Sequence, residues 1–268
     1  MGTSTGQSGG LIHATAIVSP AAKLGNNVSV GPYSVVEADT EIGDDTQIAS
    51  HVAVQSGTRI GRGNKIHQFA SIGGDSQDKK HTGKASYLLI GDGNTIREYA
   101  TINRGSDYDR GETVVGNNNW LMAYTHIAHD CTIGDNIVLA NGASLAGHVT
   151  VDDYAILSAF VLIHQFCRIG RYSFVAPTVI VRQDLTPFTR AWGPPAKTYS
   201  LNKEGLKRAG FSSDLVAALE TCYRKLVRAS HANVDEKEQQ MLDKLASQYS
   251  EVEEFMRFIK DSKRGILR

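Results

Sequence analysis

The sequence has few of the features that mark disulfide-stabilised or membrane-spanning proteins. Its 268 residues include three cysteines, Cys131, Cys167 and Cys222, which lie far apart and show no CxxC spacing. This pattern argues against a disulfide framework or a cysteine-rich zinc site, and it indicates a reducing compartment. No apolar run approaches the roughly 20 residues of a membrane span. We therefore expect a cytoplasmic protein that does not span a membrane.

The sequence also lacks an excess of charge of either sign. Lysine plus arginine and aspartate plus glutamate both number 28, so there is no global basic field of the kind that nucleic-acid binding needs. A nucleic-acid partner is not expected. Residues 1–10 are rich in glycine, serine and threonine, without a basic start or an apolar stretch. They predict a flexible leader rather than a signal peptide.

What the chain does have is an aliphatic residue at every sixth position. Such a period fits neither a helix nor an alternating strand, and it is typical of a parallel β-helix in which each hexad forms one face of a triangular coil. The first run is Ile12, Val18, Leu24, Val30, Val36, Ile42, Ile48, Val54, Ile60, Ile66 and Ile72. The same phase returns at Ile90, Ile96 and Ile102. After a slip of one residue it continues at Val115, Leu121, Ile127, Ile133, Leu139, Leu145, Val151, Leu157, Ile163, Ile169, Val175 and Val181.

The rest of the chain divides around this repeat. Two polar interruptions, between Ile72 and Ile90 and between Ile102 and Val115, predict loops that leave the wall and carry binding groups, with Gln77, Asp78 and Lys80 as candidates. We predict a mainly β fold, with a left-handed parallel β-helix of hexapeptide repeats over residues 11–190. A small α-helical C-terminal domain should follow over residues 191–268. Ser213 is placed to cap one helix, and a later helix would run from Met241 to Ile259.

Three hexads make one coil, so residues 18 apart stack along the axis about 4.8 Å apart. This arithmetic places Gly147 on His129 and Gln165 two coils from it, with His148 and His164 alongside. A histidine exchanges protons near neutral pH, and a glycine leaves its backbone N–H open to a developing oxyanion. The cluster therefore suits acyl transfer. The alternatives are a zinc site shared by neighbouring subunits, as in γ-class carbonic anhydrases, and a purely structural β-helix.

Longer motifs are more specific. His-Ile-Ala-His-Asp-Cys at 126–131, Leu-Ala-Gly-His-Val at 145–149, His-Gln-Phe-Cys at 164–167 and Arg-Gly-Ile-Leu-Arg at 264–268 resemble the UDP-N-acetylglucosamine O-acyltransferases of lipid A biosynthesis. The resemblance extends from about Ile12 to Arg268. It implies transfer of a 3-hydroxyacyl chain from acyl carrier protein to the glucosamine 3-hydroxyl of UDP-N-acetylglucosamine. It also implies a homotrimer with sites between subunits and no metal or cofactor.

The resemblance also implies a role for individual residues. His129 would be the general base, oriented by Asp130, and Gly147 would donate its N–H to the oxyanion. Asp78, supported by Gln77, would accept a hydrogen bond from the acyl 3-hydroxyl. The substrate pocket would be lined by His126, His148, His164 and Gln165, and the uridine diphosphate would contact Asn202, Glu204 and Arg208. A basic patch for the acidic carrier protein would draw on Lys207, Arg208, Arg224, Lys225 and Arg228.

Two departures from the family pattern limit this transfer of roles. Ala209 follows Arg208 where relatives often carry a second arginine, which predicts that contacts to the nucleotide phosphates are fewer or are supplied elsewhere. Pro177 stands at the position that sets the acyl-chain length in relatives, which is called the hydrocarbon ruler. Because proline is bulkier than glycine and rigid, we predict a shorter acyl chain than is accepted by glycine-type enzymes, the relatives with glycine at this position. The nearest rival is an enzyme that N-acylates a 3-amino or later UDP-glucosamine intermediate. Such relatives usually carry an extra N-terminal domain, and only about ten residues precede the hexads here.

Overall fold

The computed structural model describes residues 11–229 and 235–268, so the leader predicted over residues 1–10 lies outside the described residues. The repeat forms a triangular prism whose three walls are parallel sheets. The first face consists of Ile17–Val18, Val35–Val36, Ala53–Val54, Ser71–Gly74, Thr101–Asn103, His126–Ile127, Ser144–Leu145, Leu162–Ile163 and Ile180–Val181. The second consists of Lys23–Leu24, Glu41–Ile42, Thr58–Ile60, Tyr87–Ile90, Glu112–Val115, Thr132–Ile133, Thr150–Val151 and Arg168–Ile169.

The third face is the longest. It consists of Ser29–Val30, Gln47–Ile48, Lys65–Ile66, Thr95–Ile96, Trp120–Leu121, Val138–Leu139, Ile156–Leu157, Phe174–Val175, Thr189–Trp192 and Lys197–Leu201. The turns from the first to the second face form the first corner of the prism. Those from the second to the third face form the second corner, and those from the third back to the first face form the third corner.

The predicted hexad positions form the core of the prism. Every one of them from Val30 to Val181 is at most 4% exposed, and burying each such side chain contributes roughly 1.5–3 kcal/mol. Ile12, in the first coil, is 42% exposed, since no coil precedes it within residues 11–229. The repeat therefore stabilises the prism along almost its whole length.

Both predicted loops leave the prism at the first corner. Strands on successive coils normally pair residues 18 apart, as His126 pairs with Ser144. Ile72 instead pairs with Ile102, thirty residues on, and Ile102 with Ile127, twenty-five on. The excess is 12 residues in the loop between Gly74 and Tyr87 and 7 in the loop between Asn103 and Glu112. We call these the first loop and the second loop.

The C-terminal part begins with strands rather than helices. Thr189–Trp192 and Lys197–Leu201 extend the third face beyond residue 190, the second of them antiparallel, so the first helix begins at Lys203. Their backbone groups can pair with the open edge of the sheet even though the hexad pattern has ended, which is why the aliphatic period did not predict them. The helices are α1 (Lys203–Arg208), α2 (Ser213–Cys222), a π-helical segment (Tyr223–Arg228), α3 (Glu236–Gln248) and α4 (Ser250–Asp261).

Two details of the helices differ from the predictions. The side chain of Ser212, not Ser213, accepts the hydrogen bond from the Leu215 N–H and caps α2. The single helix predicted through residue 259 is broken at Tyr249, whose backbone is extended. The break lets α3 and α4 pack against each other and bury both Leu242 and Phe255. Helical periodicity predicted the apolar faces but could not reveal the change of direction between them.

Candidate active site

The first corner stacks His129, Gly147 and Gln165 on successive coils. The His148 N–H donates to the His129 carbonyl oxygen at 3.1 Å, and the Phe166 N–H donates to the Gly147 carbonyl oxygen at 3.2 Å. These bonds hold the three turns in register. The 18-residue arithmetic therefore placed these neighbours correctly.

His129 and Asp130 form a buried hydrogen-bonded pair. Nδ1 of His129 lies 2.8 Å from Oδ2 of Asp130, and the two residues are 9% and 4% exposed. The Asp130 carboxylate also accepts hydrogen bonds from the Ser106 hydroxyl at 2.5 Å and from the Ser106 N–H at 3.1 Å. Since an ionised carboxylate can only accept, Nδ1 of His129 carries the proton, and Nε2 is left as the acceptor. The pair can therefore work as an oriented general base.

Gly147 provides the second chemical group of the corner. A Cβ atom at this position would lie 2.6 Å from Cε1 of His129, so a side chain would displace the imidazole. Among the residues that the structure describes, the Gly147 N–H has no hydrogen-bond partner. A free backbone donor next to a histidine suits an oxyanion that develops during acyl transfer.

Both loops lean over this corner. The Tyr108 hydroxyl of the second loop donates to Oδ2 of Asp78 in the first loop at 2.6 Å, and the Lys80 N–H donates to Oδ1 at 2.9 Å. The Tyr108 ring lies edge-on to the His129 ring, with centroids 6.4 Å apart. Gln77 is exposed, and its amide N–H donates to the side chain of Asn103 at 3.4 Å. The structure thus brings Asp78 next to the His129 pair.

His148 lies beside the pair and is fixed from two sides. Its Nδ1 lies 2.8 Å from Asp109, and its ring stacks on Phe166 with centroids 4.4 Å apart. Side-chain atoms of His129, Asp130 and His148 come within 4.8 Å of one another, a spacing that could hold a metal ion. However, Asp130 already accepts hydrogen bonds from Ser106 and His129, so a metal would have to break them. The arrangement fits a carboxylate that orients an imidazole better than a metal ligand.

The remaining predicted pocket residues surround the pair at different depths. Nδ1 of His126 lies 2.7 Å from the Thr101 hydroxyl, and burial, reinforced by the charge of His129, lowers the pKa of His126. This histidine is therefore favoured in its neutral form. His164 and Gln165 are exposed on the coil above Gly147, where a ligand can reach them.

Comparisons with known proteins now identify the family. The chain is 45% identical to the acyl-[acyl-carrier-protein]--UDP-N-acetylglucosamine O-acyltransferase of Thiobacillus denitrificans, over 96% of this chain and 99% of that protein. It is 48% identical to the enzyme of the same name from Janthinobacterium sp., over the same shares of the two chains. The chain belongs to this O-acyltransferase family. It is an acyltransferase, and the predicted fold of a left-handed β-helix followed by helices is confirmed.

Solved structures and family models agree with this assignment. The UDP-N-acetylglucosamine acyltransferase of Francisella novicida superposes with a TM-score of 0.91 at 40% identity, covering 96% of this chain and 94% of that one. The O-acyltransferase of Moraxella catarrhalis gives 0.91 at 41% identity, covering 96% and 99%. Residues 184–267 match the model for domain 2 of UDP-N-acetylglucosamine O-acyltransferase, and residues 112–147 match the bacterial transferase hexapeptide model.

Some residues predicted from the O-acyltransferase family lie away from His129. The Asn202 side chain caps α1 through the Gly205 N–H and donates to the Tyr172 carbonyl oxygen, so both ends of its amide are engaged at the second corner. Glu204 and Arg208 are exposed on α1. Pro177 is exposed at the third corner. Within one chain, therefore, the predicted nucleotide contacts and the ruler occupy different corners from the His129 pair.

The predicted basic patch is only partly available. Lys207, Arg208 and Arg224 are exposed, whereas Lys225 pairs with Glu238 of α3. The patch stays a prediction for docking of the carrier protein.

No helix within residues 11–229 and 235–268 is both long and apolar enough to cross a membrane.

Sequence reasoning missed the contribution of the second loop. Four residues of this loop bond groups of the site: Ser106 bonds Asp130, Tyr108 bonds Asp78, Asp109 bonds His148, and Arg110 bonds the carbonyl oxygens of Asp130 and Cys131. The fifth, Asp107, bonds Thr82 of the first loop and so only joins the two loops. The polar composition of the segment indicated a loop but not its partners. The only signal was its position, one coil before His129.

Proposed function

We propose that this O-acyltransferase transfers a 3-hydroxyacyl chain from acyl carrier protein to the 3-hydroxyl of UDP-N-acetylglucosamine, the first step of lipid A biosynthesis. The observation that carries the proposal is the His129–Asp130 pair lying against Gly147, whose N–H has no hydrogen-bond partner among the described residues. This geometry occurs in a chain 45–48% identical to enzymes named for that transfer.

The chemistry follows from the atoms of the corner. Nε2 of His129 takes the proton of the sugar 3-hydroxyl as its oxygen attacks the thioester carbonyl carbon. The negative charge that develops on the carbonyl oxygen accepts a hydrogen bond from the Gly147 N–H. When the carbon–sulfur bond breaks, the departing thiolate takes the proton back from the imidazolium. Asp130 keeps the proton on Nδ1 and stabilises the imidazolium, so no step calls for a metal or cofactor.

The neighbouring side chains supply binding groups. Asp78, flanked by Gln77 and Lys80, would accept a hydrogen bond from the acyl 3-hydroxyl. His148, His164 and Gln165 would line the pocket for the sugar and the pantetheine arm, with His126 beside the nucleotide sugar. Their placement above and beside His129 supports these roles, since each lies on the same corner or the adjoining face.

We also propose that the complete site lies between subunits of a homotrimer. The His129 pair is at the first corner, whereas Asn202, Glu204 and Arg208 are at the second. One convex wall cannot easily enclose a nucleotide sugar and a long acyl chain, but a cleft between two walls can. A neighbouring subunit would present its second corner to the first corner of this one.

Mixing two inactive variants tests the shared site. Trimers reassembled from equal amounts of His129→Ala and Arg208→Ala chains should recover activity in about one quarter of their sites, because a site is intact when each neighbour supplies its wild-type half. Activity is measured against each variant reassembled alone. A mixture no more active than the two separate variants would contradict sites that join these residues across subunits.

The reaction itself is tested by incubating the protein with hydroxyacyl carrier protein and UDP-N-acetylglucosamine. We expect an acylated sugar nucleotide whose acyl group is released by mild alkali, as an ester is and an amide is not. His129→Ala should lower kcat by roughly 10²–10⁴-fold. An alkali-stable product would support the N-acylating rival instead, and undiminished turnover by the variant would remove the proposed base.

Pro177 and Ala209 carry the two finer proposals. In a competition among donors, the enzyme should prefer a chain shorter than glycine-type relatives accept, and the longest donor winning would contradict Pro177 as the ruler. Ala209→Arg should lower the KM for the nucleotide sugar, since a second guanidinium can bind diphosphate oxygens. An unchanged KM would show that this position makes no phosphate contact.

A further inference from the structure

The Asp78 carboxylate already has a protein donor on each oxygen. Oδ2 accepts the Tyr108 hydroxyl at 2.6 Å, and Oδ1 accepts the Lys80 N–H at 2.9 Å. Tyr108 is 42% exposed, and its ring stands edge-on to the His129 ring with centroids 6.4 Å apart. Tyr108 therefore belongs to the surface that a bound donor would cover.

The protonation states fix the direction of this bond. The pKa of Asp78 is lowered, first by the Tyr108 hydroxyl and then by the Lys80 N–H, so the carboxylate is ionised and can only accept. Burial, followed by the bond to Asp78, raises the pKa of Tyr108 to about 12, so the phenol keeps its proton. Tyr108 is thus the donor at neutral pH, as a substrate hydroxyl would be.

We propose that Tyr108 determines donor specificity by keeping Asp78 hydrogen-bonded when the acyl chain lacks a 3-hydroxyl, so that this enzyme also accepts unsubstituted acyl chains. The proposal rests on the function proposed above, in which Asp78 receives the acyl 3-hydroxyl. The substrate class it adds is acyl carrier protein bearing a chain without a substituent at carbon 3.

The reasoning concerns the cost of an unpaired polar group. A site that hydrogen-bonds a substrate hydroxyl rejects an analogue without it by about 10⁴–10⁵-fold when the site's own polar group is left unpaired. Here the covered carboxylate would retain the Tyr108 hydroxyl and the Lys80 N–H. The penalty for a missing 3-hydroxyl is therefore reduced, and we expect wild-type kcat/KM values for the two donor types to differ by less than about 100-fold.

A competing explanation is that Tyr108 merely pins the two loops together. The chain offers a matched control, because the Thr82 hydroxyl of the first loop donates to Asp107 of the second loop at 2.6 Å. Thr82→Val removes a hydroxyl bond between the same loops that does not involve the Asp78 carboxylate. Tyr108→Phe removes only the hydroxyl and keeps the ring that faces His129.

The experiment compares 3-hydroxyacyl and unsubstituted acyl carrier proteins of equal chain length, with saturating UDP-N-acetylglucosamine. Tyr108→Phe should raise the kcat/KM ratio of hydroxylated to unsubstituted donor at least tenfold, mainly by slowing the unsubstituted one. Thr82→Val should change the ratio less than twofold. In an Asp78→Asn background, Tyr108→Phe should also change it less than twofold, because the charged acceptor is gone.

Three results would overturn the proposal. They are a wild-type ratio above about 100, an unchanged ratio in Tyr108→Phe, and an equal change in Thr82→Val. The first needs no variant, so it remains informative if Tyr108→Phe folds poorly. Turnover of the hydroxylated donor by the wild type tests the proposed function separately, since it does not depend on the ratio.

Discussion

At the third corner of the prism, five rings stack one per coil, those of Tyr33, His51, Phe69, Tyr99 and Tyr124, with successive centroids 4.9–5.1 Å apart. At the first corner, the left-handed turn position that Tyr124 fills with φ of 61° is filled by Asp130 with φ of 59° and by His148 with φ of 62°. The backbone is the same at both corners. The side chains and the loops differ.

The difference shows where chemistry can be added to a repeat. At the third corner, successive turns lie 18 residues apart except where a coil carries one of the loops, and its rings contact one another along the edge. The first corner is interrupted by the first and second loops in the two coils before His129. Those loops place Asp78, Ser106 and Tyr108 next to the His129–Asp130 pair. Without the loops, the regular coil would leave this pair uncovered at the corner.

A matched pair of glycines gives the sharpest test of this contrast and the largest expected effect. In Gly147→Ala the new methyl group would lie 2.6 Å from the His129 ring, which Asp130 holds in place, so kcat should fall by at least about 100-fold. In Gly142→Ala at the third corner it would lie 2.7 Å from the exposed Phe160 ring, which can rotate away.

Gly142→Ala should instead cost about 1 kcal/mol of stability, because φ of 71° strains an alanine, while turnover stays within about threefold. Steady-state kinetics and thermal unfolding of both variants separate the two outcomes. Equal losses of turnover would mean that the first corner is no more sensitive than the third.

The second prediction concerns the hydroxyl of Ser106. Ser106→Ala removes the 2.5 Å bond to Asp130 but keeps the Ser106 N–H, so the carboxylate stays in place with one donor fewer. We expect kcat to fall about tenfold with KM nearly unchanged, the loss of one hydrogen bond to a charged group. A fall in affinity without a fall in kcat would show that the loop acts on substrate binding rather than on the base.

The third prediction compares two neighbouring carboxylates at the second corner. Burial raises the pKa of Asp152 to about 6 from 3.8, partly offset by Arg168, whereas Oδ1 of Asp153 accepts the Asp135 N–H. A raised carboxyl pKa contributes stability that is fully present below pH 3.8 and lost as the pH rises through about 6. Ionised Asp152 should therefore cost roughly 1 kcal/mol at pH 8, after allowance for solvent.

Asp152→Asn should raise the Tm at pH 8 by a few degrees and leave it nearly unchanged at pH 4, while Asp153→Asn should lower it at pH 8. The charged groups that act on Asp152 are Arg168, Arg171, Asp153 and Glu254. Thermal unfolding curves at pH 4 and pH 8 test these expected changes in Tm. A stabilisation by Asp152→Asn that is the same at pH 4 and pH 8 would exclude ionisation as its cause.

The smallest effect on stability is expected from a change in the stacked rings of the third corner. Tyr124→Ala removes one stacked partner of Tyr99 and should lower stability by about 0.5–1.5 kcal/mol without changing kcat. Thermal unfolding and the transfer assay check the two halves of this statement. A large loss of turnover would mean that the third corner takes part in the reaction, against the contrast drawn above.

Much of the prism was readable from spacing alone. The burial of every hexad position from Val30 to Val181, the stacking of Gly147 on His129, and the position of both loops follow from the hexad period. The strands after residue 190 and the break at Tyr249 could not be predicted from the sequence, because sheet-edge pairing and changes of helix direction leave no periodic signal. The partners of residues 106–110 were likewise hidden in a short polar segment.

The sequence by itself determined the coil, the register and the identity of the stacked groups, since a local period of six repeats one steric solution along the chain. Only the tertiary structure decided which polar groups of the two loops meet. Asp78 and Tyr108 are 30 residues apart and obey no repeat, so their bond depends on how two irregular loops pack over one corner. Contacts between irregular segments depend on the whole fold, which no local period encodes.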